Sequence, residues 1–118
     1  MKYNTTTPIY LQIMNSIKKD IVTGVISRGE RIDSVRTLSD KYEVNLNTMH
    51  RACMELERQG VIFTQRGIGS FVTQDEEVIN SLKEEMSSEI IEKFIHGMEG
   101  LGYSQSQIYQ IIGKALNQ

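Results

Sequence analysis

The sequence predicts a mainly α chain with one small β-hairpin, ordered as three helices, the hairpin and two further helices. Three observations carry this. Apolar residues recur at spacings of three and four over residues 8–24, 34–59 and 75–116, the pattern of helices with one buried side. VIFTQ and SFVTQ are β-branched and aromatic runs separated by RGIGS, which reads as two strands and a turn. Residues that cap helices well stand at the head of the helical stretches. With 118 residues, 39% hydrophobic and 24% charged, one core can form without disulfides or metal. The single Cys53 allows no internal disulfide and no zinc cluster, which fits a reducing cytoplasm. MKYNTTTPIY has no long apolar run, so no signal peptide is expected. No apolar stretch approaches the roughly 20 residues that span a bilayer, so no membrane partner is expected.

Residues 1–7 are polar and expected to fray. Thr7 as N-cap and Pro8 at the first helical position start helix 1, which runs to about Gly24. Tyr10, Ile13, Met14, Ile17, Ile21 and Val22 form its inner side. Gly24 and Gly29 mark an irregular connection with room for a short strand at Arg31–Ile32. Ser34 caps helix 2, which runs to about Tyr42 with Val35, Leu38 and Tyr42 inward. After a turn at Glu43–Val44, Asn45 caps helix 3, Leu46 to about Gln59, and Gly60 takes the left-handed position beyond it. Two short helices joined by a tight turn have the spacing of a helix-turn-helix. The hairpin that follows makes residues 1–74 a winged helix-turn-helix domain.

Residues 75–118 form a two-helix tail. Val78, Ile79, Leu82, Met86, Ile90, Ile91, Phe94, Ile95 and Met98 make an apolar stripe on an acidic helix. GMEGLGY interrupts it. Ser104 and Gln107 then form a capping box, with Tyr103 and Ile108 in staple positions. Ile108, Ile111, Ile112, Ala115 and Leu116 line the last helix. Two amphipathic helices offer more apolar face than a small winged domain needs, so dimerisation through Ile79, Leu82, Met86, Ile90, Phe94, Ile108 and Ile112 is expected. The alternative is that both helices fold back on their own core.

The net charge of −2 hides an asymmetry. Residues 1–74 hold ten basic and seven acidic residues, a net of +3, whereas residues 75–118 hold three and eight, a net of −5. The halves therefore suit different partners. On a wheel of about 100° per residue, Met49, Ala52, Cys53 and Leu56 fall on the inner side of helix 3. Asn47, His50, Arg51, Met54 and Arg58 fall outside. Asn can pair with adenine, Arg with guanine, and a helix N-terminus favours phosphate. A merely solvated face has the same composition, and it is the context of a preceding short helix and a basic-tipped hairpin that favours double-stranded DNA.

At the hairpin tip, Arg66 stands beside Gly67 and Gly69, where backbone can approach a duplex and arginine can enter the minor groove; an ordinary turn is the alternative. Arg36 lies in the first turn of helix 2, where its charge opposes the helix dipole. That position suits either a nearby phosphate or a salt bridge to Asp33 or Asp40. Cys53 reads as a core thiol. His96, flanked by Glu92 and Glu99, reads as an ion pair rather than a metal site. GIG lacks the third glycine of a dinucleotide fingerprint. No nucleophile setting occurs, so no enzyme and no cofactor are expected.

SVRTLSDKYEVNLNTMHRACMELERQGVIFTQRGIGSFV resembles the DNA-binding domain of the GntR family of bacterial transcription regulators. The resemblance begins at PIYLQI and covers residues 8 to about 74 through SVR-x-L, VN-x-NT, ELE-x-x-G and RG-x-G-x-FV. FIHGMEGLGYSQSQIYQII resembles the short tail of the YtrA-like subfamily. The resemblance implies a cytoplasmic, homodimeric repressor of its own operon that binds a near-palindromic operator, in the context of ABC-transporter genes. It implies DNA contacts at Arg36, Asn45, Asn47, Thr48, His50, Arg51, Arg66 and Gly67. Two residues depart from the family pattern: Asp33 replaces the usual proline before the helix-2 serine, and Leu46 stands where many relatives have a basic residue or proline. The competing reading is a winged-helix module that binds protein rather than DNA. A small-molecule effector remains unassigned.

Overall fold

A computed structural model describes residues 1–117. The element order is α1 (Ile9–Val22), α2 (Val35–Tyr42), α3 (Leu46–Arg58), β1 (Ile62–Gln65), β2 (Gly69–Val72), α4 (Glu76–Gly100) and α5 (Gln105–Leu116). The expected architecture is present: a winged helix-turn-helix followed by two helices.

α1 buries Ile13, Met14, Ile17 and Ile21. Its start differs from expectation. Pro8 is the N-cap and no side chain caps the helix. The Thr6 and Thr7 amides instead donate to Asn4 Oδ1, both at 3.1 Å. Gln12 Nε2 donates to the Thr7 carbonyl at 2.7 Å and to the Asn4 carbonyl at 3.0 Å. The Tyr3 hydroxyl donates to the Tyr42 carbonyl at 2.6 Å. The segment expected to fray is thus tied to α1 and to the end of α2. Asn and Gln can do this because each carries both a donor and an acceptor.

α2 is capped by Ser34, whose hydroxyl accepts from the Thr37 amide at 3.2 Å. Its inner side holds Leu38 and also Ser39, a small polar residue missed by hydrophobic patterning. The Ser39 hydroxyl donates to the Arg36 carbonyl at 2.7 Å, so its burial leaves no donor unsatisfied. The helix stops at Glu43, which is left-handed with φ 56° and ψ 49°. That conformation costs a non-glycine residue roughly 1–2 kcal/mol. The last carbonyls are satisfied in return, since the Glu43 and Val44 amides donate to Asp40 and Ser39. The sharp stop leaves Asn45 free to start α3 at once.

α3 is the centre of the winged unit, with α1, α2 and β1 all packed on it. Met49, Ala52 and Leu56 are fully buried and Cys53 nearly so. Burying a Leu or Met side chain stabilises by about 1.5–3 kcal/mol, so this inner face fixes the rotation of α3 and hence its outer face. Burial raises the Cys53 thiol pKa, with a smaller push from Glu57, in keeping with a core thiol. Gly60 follows with φ 76°, as the sequence predicts.

The wing pairs Ile62 with Val72, Phe63 with Phe71, Thr64 with Ser70 and Gln65 with Gly69, antiparallel. Val61, Ile62 and Val72 anchor it in the core. The short strand expected at Arg31–Ile32 appears as a bridge from Arg31 to Phe71. The Ile32 amide donates to Ser70 and the Val72 amide to Glu30, both at 2.9 Å.

α4 runs uninterrupted through Gly97 to Gly100, so the break in GMEGLGY is later and shorter than expected. It falls at Gly102, where φ is 93°. The capping box forms: the Gln107 amide donates to Ser104 Oγ at 3.2 Å, and the Ser104 amide to Gln107 Oε1 at 2.8 Å. The chain divides into two compact units, Met1–Leu82 and the remainder from Lys83. The division lies inside α4, beyond the boundary at 74/75 expected from the change in pattern. The expected boundary falls just before α4 begins at Glu76, whereas the first unit takes in its opening turns.

Candidate nucleic-acid interface

Each candidate contact residue belongs to the winged unit. Asn47, His50 and Arg51 are exposed on α3, and Thr48 is half-buried. Asn45 caps the helix: its Oδ1 accepts from the Thr48 amide at 2.9 Å. Its amide –NH₂ makes no hydrogen bond among the described residues and stays available for another partner. Leu46 is 43% exposed beside it. The first turn of α3 contains no acidic residue, so the positive end of its dipole is uncompensated and open to phosphate.

Three exposed arginines of the winged unit make no ion pair among the described residues: Arg36 in α2, Arg51 in α3 and Arg66 at the wing tip. The alternative of a salt bridge from Arg36 to Asp33 is overturned, because Lys41 takes Asp33. The hydrogen bond from Lys41 to Asp33, followed by the charge of that carboxylate, raises the Lys41 pKa. The departure at Asp33 therefore carries its own counter-ion. Asp40 makes no bridge to Arg36 either.

Arg66 and Gly67 lie in the wing tip, both exposed. Gly67 has φ 78° with open space on its Cβ side, so no side chain stands between its backbone and an approaching surface. Gly69 is different. A Cβ there would lie 2.6 Å from Arg31 Nε, so the missing side chain makes room for the Arg31 guanidinium against the strand. Arg31 is a basic group on the wing that composition did not distinguish.

Tyr10 is a second residue whose position the sequence misjudges. It counts as inner-face on the wheel, yet it is half-buried. The Arg51 guanidinium carbon lies 4.0 Å from its ring centroid. Arg51 Nη2 also donates to the Tyr10 hydroxyl at 3.4 Å. The available signal was a tyrosine at the edge of an apolar stripe, a residue with an apolar body and a polar tip.

A basic, glycine-tipped wing beside an exposed Asn/His/Arg helix can bind nucleic acid, and the family comparison agrees. The profile of "Bacterial regulatory proteins, gntR family" matches residues 9–72. The chain belongs to the gntR family. Its members are transcription regulators, not enzymes. The chain is 34% identical over 101 residues to the HTH-type transcriptional repressor YtrA of Bacillus subtilis, covering 80% of this chain and 78% of that one. It is similar to the structure of a GntR family transcriptional regulator from Listeria monocytogenes, at 38% identity and TM-score 0.85, covering 95% and 98% of the two chains. That coverage includes the tail helices, as befits a YtrA-type gntR regulator. The winged unit is also similar to the DNA-binding domain of AraR, solved in complex with operator ORX1. That match has 25% identity and TM-score 0.56, and covers 62% of this chain and 93% of that one.

In the tail, the expected dimerisation residues divide. Leu82 and Ile108 are each only 5% exposed in the single chain, and Ile79 and Met86 are half-buried. Ile90, Phe94 and Ile112 are exposed, and so are Ile91 and Ile95. Exposed apolar side chains of the tail therefore lie in the second half of α4 and also at Leu101, Tyr109 and Leu116. His96 forms no ion pair with Glu92 or Glu99, contrary to expectation. No helix among the described residues is long and apolar enough to cross a membrane.

Proposed function

We propose that this gntR regulator is a homodimeric, sequence-specific repressor of its own operon, with ABC-transporter genes as the regulated context. What carries the reading is a set of three exposed, unpaired arginines, Arg36, Arg51 and Arg66, on α2, α3 and the wing tip of one winged unit. Asn47, His50 and Arg51 read base edges in the major groove. Arg66 and the Gly67 backbone follow the adjacent minor groove, and Arg36 with the start of α3 holds phosphates. Asn45 and Thr48 complete the contact set. The operator AraR binds, and the repressor activity named for YtrA, support the same direction.

Residues 1–74 act as the DNA-binding domain and the helices beyond as the dimerisation tail. Exposed Ile90, Phe94 and Ile112 support this role for the tail, because exposed large apolar side chains favour association. Dimerisation would set two recognition helices roughly 34 Å apart, one DNA turn, to match a near-palindromic operator. The acidic tail, at −5, stays away from the phosphates.

The test is a binding titration with DNA upstream of the protein's own gene at several salt concentrations. Arg36 on each of two chains, with one phosphate apiece, gives a slope of log K against log salt of about −2, and each further phosphate contact steepens it by about one. Arg51→Ala weakens binding by about 1–3 kcal/mol. A salt-independent affinity together with an inert Arg51→Ala would overturn the reading.

A further inference from the structure

Arg51 has an evident competitor for its charge on its own helix. Glu55 stands four residues along α3, the spacing at which an arginine and a carboxylate normally pair. Such a pair would neutralise Arg51 and draw it along the helix. It does not form. Arg58 takes Glu55 from the other side through Nε at 3.0 Å and Nη2 at 2.7 Å to the same oxygen, Oε2. That hydrogen bond, ahead of the charges of Arg58 and Arg51, lowers the Glu55 pKa. Arg51 lies instead on the Tyr10 ring of α1, 4.0 Å from its centroid, with its Nη2 directed to the Tyr10 hydroxyl at 3.4 Å.

A guanidinium resting on an aromatic face keeps its N–H groups in its own plane. The contact engages Nη2 and the ring face, and leaves the Nη1 and Nε N–H groups available for guanine or phosphate. Flexible arginines lose rotamer freedom on binding, so one already held in place loses less. We propose that Tyr10 is a positioning residue for DNA recognition: it holds the Arg51 guanidinium on the outer face of α3 and away from Glu55. This rests on the DNA-binding reading above and deepens it. Glu55 and Arg58 form the second part of the device, since their pairing occupies the carboxylate that Arg51 would otherwise meet.

The experiment uses the full chain and a duplex enriched from a random-sequence pool by the wild-type protein. Affinity is measured for Tyr10→Leu, Tyr10→Phe, Arg51→Ala, Glu55→Gln and the combinations of each with Tyr10→Leu. An exposed cation–π contact implies about a threefold to fivefold loss for Tyr10→Leu and less than about twofold for Tyr10→Phe, which keeps the ring. In the Arg51→Ala background Tyr10→Leu changes affinity no further. Glu55→Gln raises affinity more in the Tyr10→Leu protein than in wild type, a rescue that a merely structural role for Tyr10 does not provide. Thermal unfolding of Tyr10→Phe confirms that the fold is intact.

If Tyr10→Leu matches wild type while Arg51→Ala still weakens binding, positioning is refuted and the DNA reading survives. If Tyr10→Leu is as damaging without Arg51 as with it, Tyr10 touches DNA itself and the proposal is again refuted. An inert Arg51→Ala takes Arg51 out of the contact set and refutes the proposal, and it removes the DNA-binding reading only together with a salt-independent affinity.

Discussion

A pair of substitutions separates the helix-capping role of Asn45 from the DNA contact proposed for it. Its side chain accepts from the Thr48 amide at 2.9 Å and so caps α3, while its amide –NH₂ remains for DNA. Removing the cap with Asn45→Ala orphans one amide in the first turn of the helix on which α1, α2 and β1 all pack. Such substitutions cost about 1 kcal/mol. For a unit the size of Met1–Leu82, that lowers Tm by roughly 4–8 °C. Asn45→Ser keeps a capping oxygen of nearly equal quality, so it restores most of the stability while still lacking the –NH₂. Circular dichroism at 222 nm follows unfolding, and operator titration follows binding. Asn45→Ser should therefore be as stable as wild type but weaker on DNA. If Asn45→Ala unfolds at the wild-type temperature, the capping argument is wrong. If Asn45→Ser binds like wild type, Asn45 is a cap alone and leaves the set of DNA contacts.

Three further outcomes follow from the same geometry. Leu56→Ala empties a fully buried site under α3 and lowers unfolding free energy by about 3 kcal/mol in urea denaturation, with an unchanged m-value. The Glu55 carboxyl titrates below its ordinary 4.5 because Arg58 donates to it. Its small contribution to stability is thus present above pH 4.5 and is lost as pH falls through the lower folded value. In Arg58→Ala, carboxyl NMR should show the Glu55 midpoint moving upward. Ile90→Asp combined with Phe94→Asp places charge on exposed apolar positions of α4. Sedimentation should then report a monomer whose helical content matches wild type, and a persisting dimer would move the interface elsewhere.

The sequence by itself determined the features whose partners lie within one turn. Ser34, Asn45 and Ser104 cap where they were expected to, because each side chain meets an amide three residues away. Met49, Ala52, Cys53 and Leu56 are buried because helical spacing alone puts them on one side. Arg66 and Gly67 reach the wing tip because two β-prone runs fix a hairpin between them. Only the tertiary structure decided what depends on chain segments far apart. Tyr3 reaches Tyr42 across 39 residues, so the polar N-terminus is held. Tyr10 meets Arg51 across 41 residues, so an inner-face tyrosine becomes the seat of an exposed arginine of α3. Lys41 takes Asp33 and thereby leaves Arg36 unpaired, a competition among neighbours that spacing cannot rank. The tail shows the same limit. Periodicity marks Leu82, Ile90, Phe94 and Ile108 alike as apolar, yet Leu82 and Ile108 are buried in the single chain while Ile90 and Phe94 stay exposed. A hydrophobic pattern states that a face must be covered, and only the folded chain shows which part of it still awaits a partner.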